Sequence, residues 1–433
     1  MLCLQNSVPE DRKRTMAMAT SLHILQDRID LKQLANEHAE FSAELRTSRL
    51  GIKAGRSSLQ FCGLAGVNET RSYVFLPRKS YSGLPQQDLQ TARLTMRVLT
   101  RFGRDMTDRF GVAVDGEGDT GRLALIAELA KDFLQYGIFF ERSRHPSRTT
   151  GKPVWHRTVI KEQPFIGVDG SVVYPQIRTT RSRDSHDSLL SQVQAAVILE
   201  IVHQHGWWID GLASRADELK EHNLPRLPKS LWATHLRLLL PELYASRAIS
   251  LANLLISYLV NDPASQAGET YYGVEDFHTV WEYMLRKVLI GVEAGWNSRL
   301  PRPAYFLRDG SSAVQERGLL TDIVLRDGAG ALHILDAKYY DATSLGNAPG
   351  LGDIIKQFFY DIAVSSVAEG ETVKGCFVFP AAPGESNTFH SVAMLHRDGS
   401  ISSEFPTVDC YYLNIIEIMK AYTEGRKIDF PAR

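Results

Sequence analysis

The sequence predicts an α/β protein in two parts. Residues 263–433 read as a mixed sheet flanked by helices, and residues 1–262 as a mainly helical α+β part. Three observations carry this reading. Two apolar strand-like runs, 319–325 and 331–340, flank Arg326-Asp327-Gly328-Ala329-Gly330, and Asp-Gly with a further glycine is a strong hairpin signal. Helix-spaced segments lie on either side of that hairpin. The stretch 261–268, Asn-Asp-Pro-Ala-Ser-Gln-Ala-Gly, has the composition of a linker and marks the boundary.

In chain order, residues 21–40 are polar and helix-leaning and are expected to form a helix. Strands are expected over 59–64 and 72–77, joined by a turn at Asn68-Glu69-Thr70. Arg78, Lys79 and Tyr81 follow as a basic-aromatic cluster, which reads equally as a phosphate contact or a solvated loop. Amphipathic spacing predicts helices over 87–110 and 121–140. Residues 141–185 are the most basic and least regular part, with a strand expected over 171–177. Arg144, Arg148, Arg178 and Arg181, mixed with Trp155, His156 and Tyr174, are the candidate DNA-contacting residues. The competing reading is a pair of charged loops around a hairpin. A further helix is expected over 188–206, ending at Trp207 and Trp208 in the core, and two more over 227–260 around Pro241.

Beyond the linker, 276–291 reads as a helix with an apolar stripe of Phe277, Trp281, Met284, Leu285 and Val288, and Glu282 sits beside that stripe. Asp322 lies in the first hairpin strand. Asp336 and Lys338 lie two residues apart on the second, so they share a face. Charges in such apolar strands are rarely buried unless paired or metal-bound. A surface hairpin with an Asp–Lys pair is the alternative. A helix over 352–364, buried strands over 374–380 and 391–396, and a helix over 411–422 complete the chain. His333, His390 and His396 read as packing residues.

Composition limits the function classes. Hydrophobic residues at 44% and charged residues at 23% fit a globular protein and argue against disorder. The longest apolar stretch, 251–260, is interrupted by Asn253 and Ser257 and is too short to span a bilayer. No apolar segment of the secretory type follows the basic N-terminal residues. Cys3, Cys62, Cys376 and Cys410 form no CxxC pair, so neither zinc nor a disulfide framework is expected, and a reducing cytoplasm is the expected setting. Charge is uneven: 34 basic against 27 acidic residues in 1–260, and 15 against 23 in 261–433. The basic part suits a polyanion partner and the acidic part a cation site.

Asp322, followed on the next strand by Asp336-Ala337-Lys338, resembles the pattern of the PD-(D/E)XK nuclease superfamily, with Thr321 in place of the usual proline. The resemblance implies a restriction-endonuclease-like sheet and a Mg²⁺ (or Mn²⁺) site made by Asp322, Asp336, the Ala337 carbonyl and Glu282, with Glu275 competing for the last place. It implies that Lys338 positions or helps deprotonate the attacking water and offsets negative charge. Lys356 and Gln357 match the helix position that faces the site or the DNA backbone, and Gln357 is counted with the catalytic set. More narrowly, Gly151-Lys-Pro-Val-Trp-His-Arg-Thr-Val, Val280-Trp-Glu-Tyr-Met, Thr321-Asp-Ile-Val-Leu and Leu335-Asp-Ala-Lys-Tyr-Tyr are similar to LlaJI-type restriction endonucleases, and more distantly to McrC. This implies a Mg-dependent endonuclease of a restriction and phage-defence system acting on double-stranded DNA. It also implies an McrB-like AAA+ GTPase partner and a homodimer for double-strand cleavage. The sequence has no Gly-x-x-x-x-Gly-Lys-Ser/Thr loop, so nucleotide hydrolysis is expected from the partner. The alternatives are a non-catalytic DNA-binding or assembly subunit and a DNA-repair nuclease.

Overall fold

The structure, a computed structural model, describes residues 21–45, 57–68, 71–110, 120–147, 150–185, 187–260, 270–316 and 318–432. Two compact units emerge: residues 1–124 together with 263–433, and residues 125–262. The grouping differs from a simple division at residue 262, because the N-terminal residues join the C-terminal part. Strand pairing is the reason. The expected linker, 261–268, lies outside the described residues.

In the first unit, β1 (Ser21–Gln26), β2 (Cys62–Asn68), β3 (Arg71–Leu76) and β4 (Thr270–Val274) form one sheet in the order β1-β3-β2-β4. Residues from both ends of the chain therefore share a ladder. Gly63 and Gly273 face each other in it, and a Cβ on either would lie 2.2 Å from a carbonyl oxygen of the other strand. Only glycine permits that approach. The helix expected over 21–40 is corrected. Residues 21–26 instead pair in parallel with β3, and the helix begins at Leu31. There Asp30 accepts the amides of Lys32 and Gln33 at 2.7 and 3.3 Å. Ladder hydrogen bonds from distant sequence outweigh a weak local helix preference.

The second sheet contains β5 (Ile323–Arg326), β6 (Leu332–Ala337), β7 (Val373–Ala381), β8 (Ser391–Val392) and β9 (Val408–Asn414), ordered β5-β6-β7-β9-β8. β6, β7 and β9 run parallel, while β5 and β8 are antiparallel edges. This is the mixed sheet the sequence predicts. The helix expected over 411–422 starts later, because residues up to Asn414 extend the sheet and Asn414 then caps the next helix by accepting the Ile416 and Glu417 amides.

Three helices, α2 (Phe277–Val288), α3 (Leu351–Ser365) and α4 (Ile415–Glu424), pack on this sheet, while α1 (Pro85–Phe110) lies on the first sheet and against α4. Val324, Leu332 and Ile334 pack against Tyr360, Ala363 and Val364 of α3. Asp105 of α1 accepts the hydroxyls of Tyr283 on α2 and Tyr422 on α4, at 3.3 and 2.8 Å. That shared carboxylate ties α1, α2 and α4 together.

The second unit contains the helices Leu189–His205, Lys229–Leu239 and Ser246–Val260, with Pro241 between the last two as expected. Its strands Glu141–Ser147 and Thr179–Ser185 form an antiparallel ribbon. The strand expected over 171–177 shrinks to Val172–Val173, paired with Phe165–Ile166. Asp132 joins the helices by accepting Arg247 at 3.0 Å and Gln194 at 3.2 Å. Among the described residues, no helix is long and apolar enough to cross a membrane.

Candidate active site

The β5–β6 hairpin is built by its turn. Asp327 Oδ1 accepts the amides of Ala329 and Ala331 at 2.9 and 2.8 Å, and its Oδ2 meets His333 Nε2 at 2.8 Å. His333 is thus a packing residue of the turn. The register Ile323↔Leu335 and Val324↔Ile334 brings Asp322 beside Asp336 at the far end of the hairpin. Asp322 Oδ2 accepts the Ala337 amide at 2.9 Å, which locks the acid against the end of β6.

Asp336 is only 3% exposed. Its Oδ2 lies 2.9 Å from Lys338 Nζ in an ion pair, and that buried oxygen accepts no further hydrogen bond. Burial, then the adjacent Asp336 and Glu282 charges, push the Asp322 carboxyl up to about 7. A buried pair of like charges resists ionising together, which is the physical cause.

Lys338 donates to Asp353 Oδ1 of α3 at 2.6 Å. Burial disfavours its charge, but Asp353 and Asp336 outweigh that and raise its pKa above the ordinary lysine value. The ammonium is therefore the form present at neutral pH, which suits charge offset rather than proton abstraction. Glu282 forms an ion pair with Arg286 one turn along α2, and Arg286 also donates to the Asp322 carbonyl at 2.7 Å. Among the described residues, no three His, Cys, Asp or Glu side chains gather at metal-binding spacing. The arrangement is a pair of carboxylates, with Glu282 close enough to act on Asp322 but held by Arg286.

Gln357 lies buried on α3 against β7. It is 1% exposed, its amide has no hydrogen-bond partner, and its Oε1 abuts Gly375, where an added Cβ would lie 3.0 Å away. Burial opposes the Lys356 charge, and Asp336, Tyr360 and Asp322 together raise its pKa. Asp353 is the residue that sequence reasoning leaves unassigned. Its signal is an acid in the first turn of the helix that follows the Asp-x-Lys strand.

The candidate DNA-contacting arginines fare unequally. Arg178 Nε donates to Glu162 at 2.6 Å and serves an ion pair within its unit. Arg181 is exposed on the ribbon opposite His145, and Arg144 stands opposite Ser182. Arg148 lies outside the described residues. Lys79 is committed to Asp341 and Glu385 at 2.8 and 2.5 Å, which favours a structural reading of the Arg78–Tyr81 cluster.

A family model described as LlaJI restriction endonuclease matches residues 61–414. The Type II restriction enzyme BsuMI component YdjA of Bacillus subtilis (strain 168) is 28% identical over 166 residues, which are 36% of this chain and 34% of that protein. The match thus spans about a third of that relative's length. A half-complex from the tetradecameric assembly of Thermococcus gammatolerans McrB AAA+ hexamers with bound McrC is 11% identical, with a TM-score of 0.43, and the match covers 94% of this chain and 99% of that chain. The cryo-EM structure of the Thermococcus gammatolerans McrBC complex is also 11% identical, with a TM-score of 0.28, covering 61% and 86%.

Proposed function

The chain belongs to the LlaJI restriction endonuclease family, and we propose that it is the cutting component of a restriction system, a metal-dependent nuclease that hydrolyses double-stranded DNA at Asp322, Asp336 and Lys338. The single observation that supports this most is the buried carboxylate pair. One of its oxygens meets only the Lys338 ammonium, and one of its acids is pushed up to about 7. Hard divalent cations relieve such excess negative charge, and they favour all-oxygen ligands. The residues present therefore fit Mg²⁺ or Mn²⁺. Asp322, Asp336 and the Ala337 carbonyl would hold the ion, with Glu282 as an outer group once released by Arg286. When bound, the ion supplies an activated water and neutralises charge on the phosphate and leaving oxygen. Lys338 holds its ammonium beside the pair and offsets charge that grows in the transition state. Lys356 supplies a second cation from α3 for the phosphate backbone.

The test is cleavage of plasmid DNA by the full chain with Mg²⁺ or Mn²⁺, alone and with an AAA+ GTPase of the McrB type. Wild type should cut and Asp336→Asn should not. A wild type that stays inert with both metals and with the partner would leave the assembly-subunit reading in its place.

Target recognition belongs, in this proposal, to residues 1–262, on the strength of their basic excess. Replacing Arg144, Arg148 and Arg181 together with alanine is expected to weaken DNA binding and flatten the slope of log affinity against log salt by about 2 to 3. Arg178→Ala should leave that slope unchanged, because its guanidinium already serves Glu162. Equal slopes for wild type and the triple variant would place recognition elsewhere.

A further inference from the structure

The end of the Asp336–Lys338 strand is held from both sides. On one side, Asp322 accepts the Ala337 amide. Tyr339 provides the other hold, although it coordinates nothing in the proposed site. Alternation along the strand points Tyr339 to the face opposite Asp336 and Lys338. Its side chain is 3% exposed and packs against Phe277 of α2, with ring centroids 5.3 Å apart. Its hydroxyl accepts the Arg78 amide at 2.7 Å, just beyond β3. The buried Asp27 carboxyl, just beyond β1, lies close enough to act on that hydroxyl, which also meets the buried Cys62 Sγ at 3.9 Å. Asp27 is itself fixed, because its Oδ1 accepts the Phe61 amide at 3.1 Å. Two residues on, Asp341 is pinned by Lys79 at 2.8 Å. Both Arg28 and Lys79, on the two anchoring loops, have positive φ, at 64° and 65°. Non-glycine residues hold that conformation only where their surroundings enforce it. The N-terminal sheet thus presents two shaped loops whose polar groups converge on the segment that leaves the Asp-x-Lys strand.

We propose that Tyr339 is a positioning residue for the nuclease centre, and that the Asp27–Tyr339–Arg78 network is how the N-terminal sheet fixes the Ala337 carbonyl and the Lys338 ammonium. The inference rests on the nuclease reading of Asp336 and Lys338. A buried hydroxyl that accepts the Arg78 amide and sits beside the buried Asp27 carboxyl fixes the position of its own backbone. The Ala337 carbonyl lies two residues before it, and outer partners of this kind set how well a ligand group meets its ion.

The experiment compares full-length wild type, Tyr339→Phe, Asp27→Asn, the double variant, and Tyr422→Phe as the control. Tyr422→Phe deletes a buried hydroxyl donor to Asp105 in the same unit, away from the Asp-x-Lys strand. Each protein is measured for thermal midpoint, Mn²⁺ affinity by calorimetry, and kcat and KM for DNA cleavage. Tyr339→Phe should weaken Mn²⁺ binding and lower kcat by about tenfold or more, with KM for DNA unchanged. Asp27→Asn should move the same quantities in the same direction, and the double variant should fall short of the product of the two. Tyr422→Phe should lower the thermal midpoint and leave kcat and Mn²⁺ affinity at wild-type values. If Tyr339→Phe fails to fold, Asp27→Asn carries the same comparison. A Tyr339→Phe or Asp27→Asn protein that matches Tyr422→Phe in kcat and Mn²⁺ affinity would overturn the positioning role. A wild type that neither binds Mn²⁺ nor cuts would overturn the nuclease reading itself, and this inference with it.

Discussion

Replacing Lys338 with alanine is expected to lower the rate of DNA cleavage by about 100-fold or more, with DNA affinity nearly unchanged. The argument starts from geometry. The Lys338 ammonium lies 2.6 Å from Asp353 and 2.9 Å from Asp336, and these partners keep it charged despite burial. A fixed cation at the carboxylate pair acts most where negative charge grows, which is the transition state rather than bound DNA. Its loss should therefore appear in kcat and not in KM. The variant should still fold, because the β6 backbone is held independently by the Lys338 amide to Val378 at 2.9 Å and by the ladders to β5 and β7. Single-turnover cleavage and a DNA-binding isotherm on the same protein check both halves. A Lys338→Ala protein that cuts at the wild-type rate would remove Lys338 from the catalytic set.

Asp322→Asn should abolish cleavage and yet stabilise the metal-free protein above about pH 7. The folded-state carboxyl titrates at about 7, above the ordinary aspartate value of 3.8. The protonated form is thus favoured by folding. Its contribution to stability is complete below the unfolded value and is lost as pH rises through about 7. Above that pH, the wild type bears a buried charge against Asp336, and asparagine removes it while still accepting the Ala337 amide. The gain should be on the order of 2 kcal/mol near pH 8 and should vanish near pH 4. Thermal unfolding of both proteins in a chelator, across that pH range, measures it. Adding Mg²⁺ should stabilise the wild type and reverse the ranking, since only the wild type offers two carboxylates. An asparagine variant less stable than wild type at high pH without metal would show that the pair is not strained by its own charge.

The hairpin and its acids were legible because the strand period is strict. Two residues of spacing put Asp336 and Lys338 on one face, and the Asp-Gly turn set the register that brings Asp322 alongside. Helical period is less forgiving. Lys356 and Gln357 are adjacent in sequence but about 100° apart around α3, so the charges of Asp336 and Asp322 act on Lys356 while Gln357 is buried against Gly375. Non-local pairing was not legible at all. Nothing within residues 21–26 announces a parallel partner at 71–76, and the first unit could not be assembled without it. Ion-pair partners were equally hidden: Arg178 reads as a free cation until Glu162 is found beside it.

The most direct measurement is a calorimetric titration of Mn²⁺ into the metal-free full chain, for wild type and Asp336→Asn, in buffers of differing ionisation enthalpy near pH 7. The account predicts saturable binding to wild type with release of a proton from the carboxylate pair, and no such binding to Asp336→Asn. Equal affinity for Mn²⁺ in the two proteins, or a wild type that binds none, would contradict it.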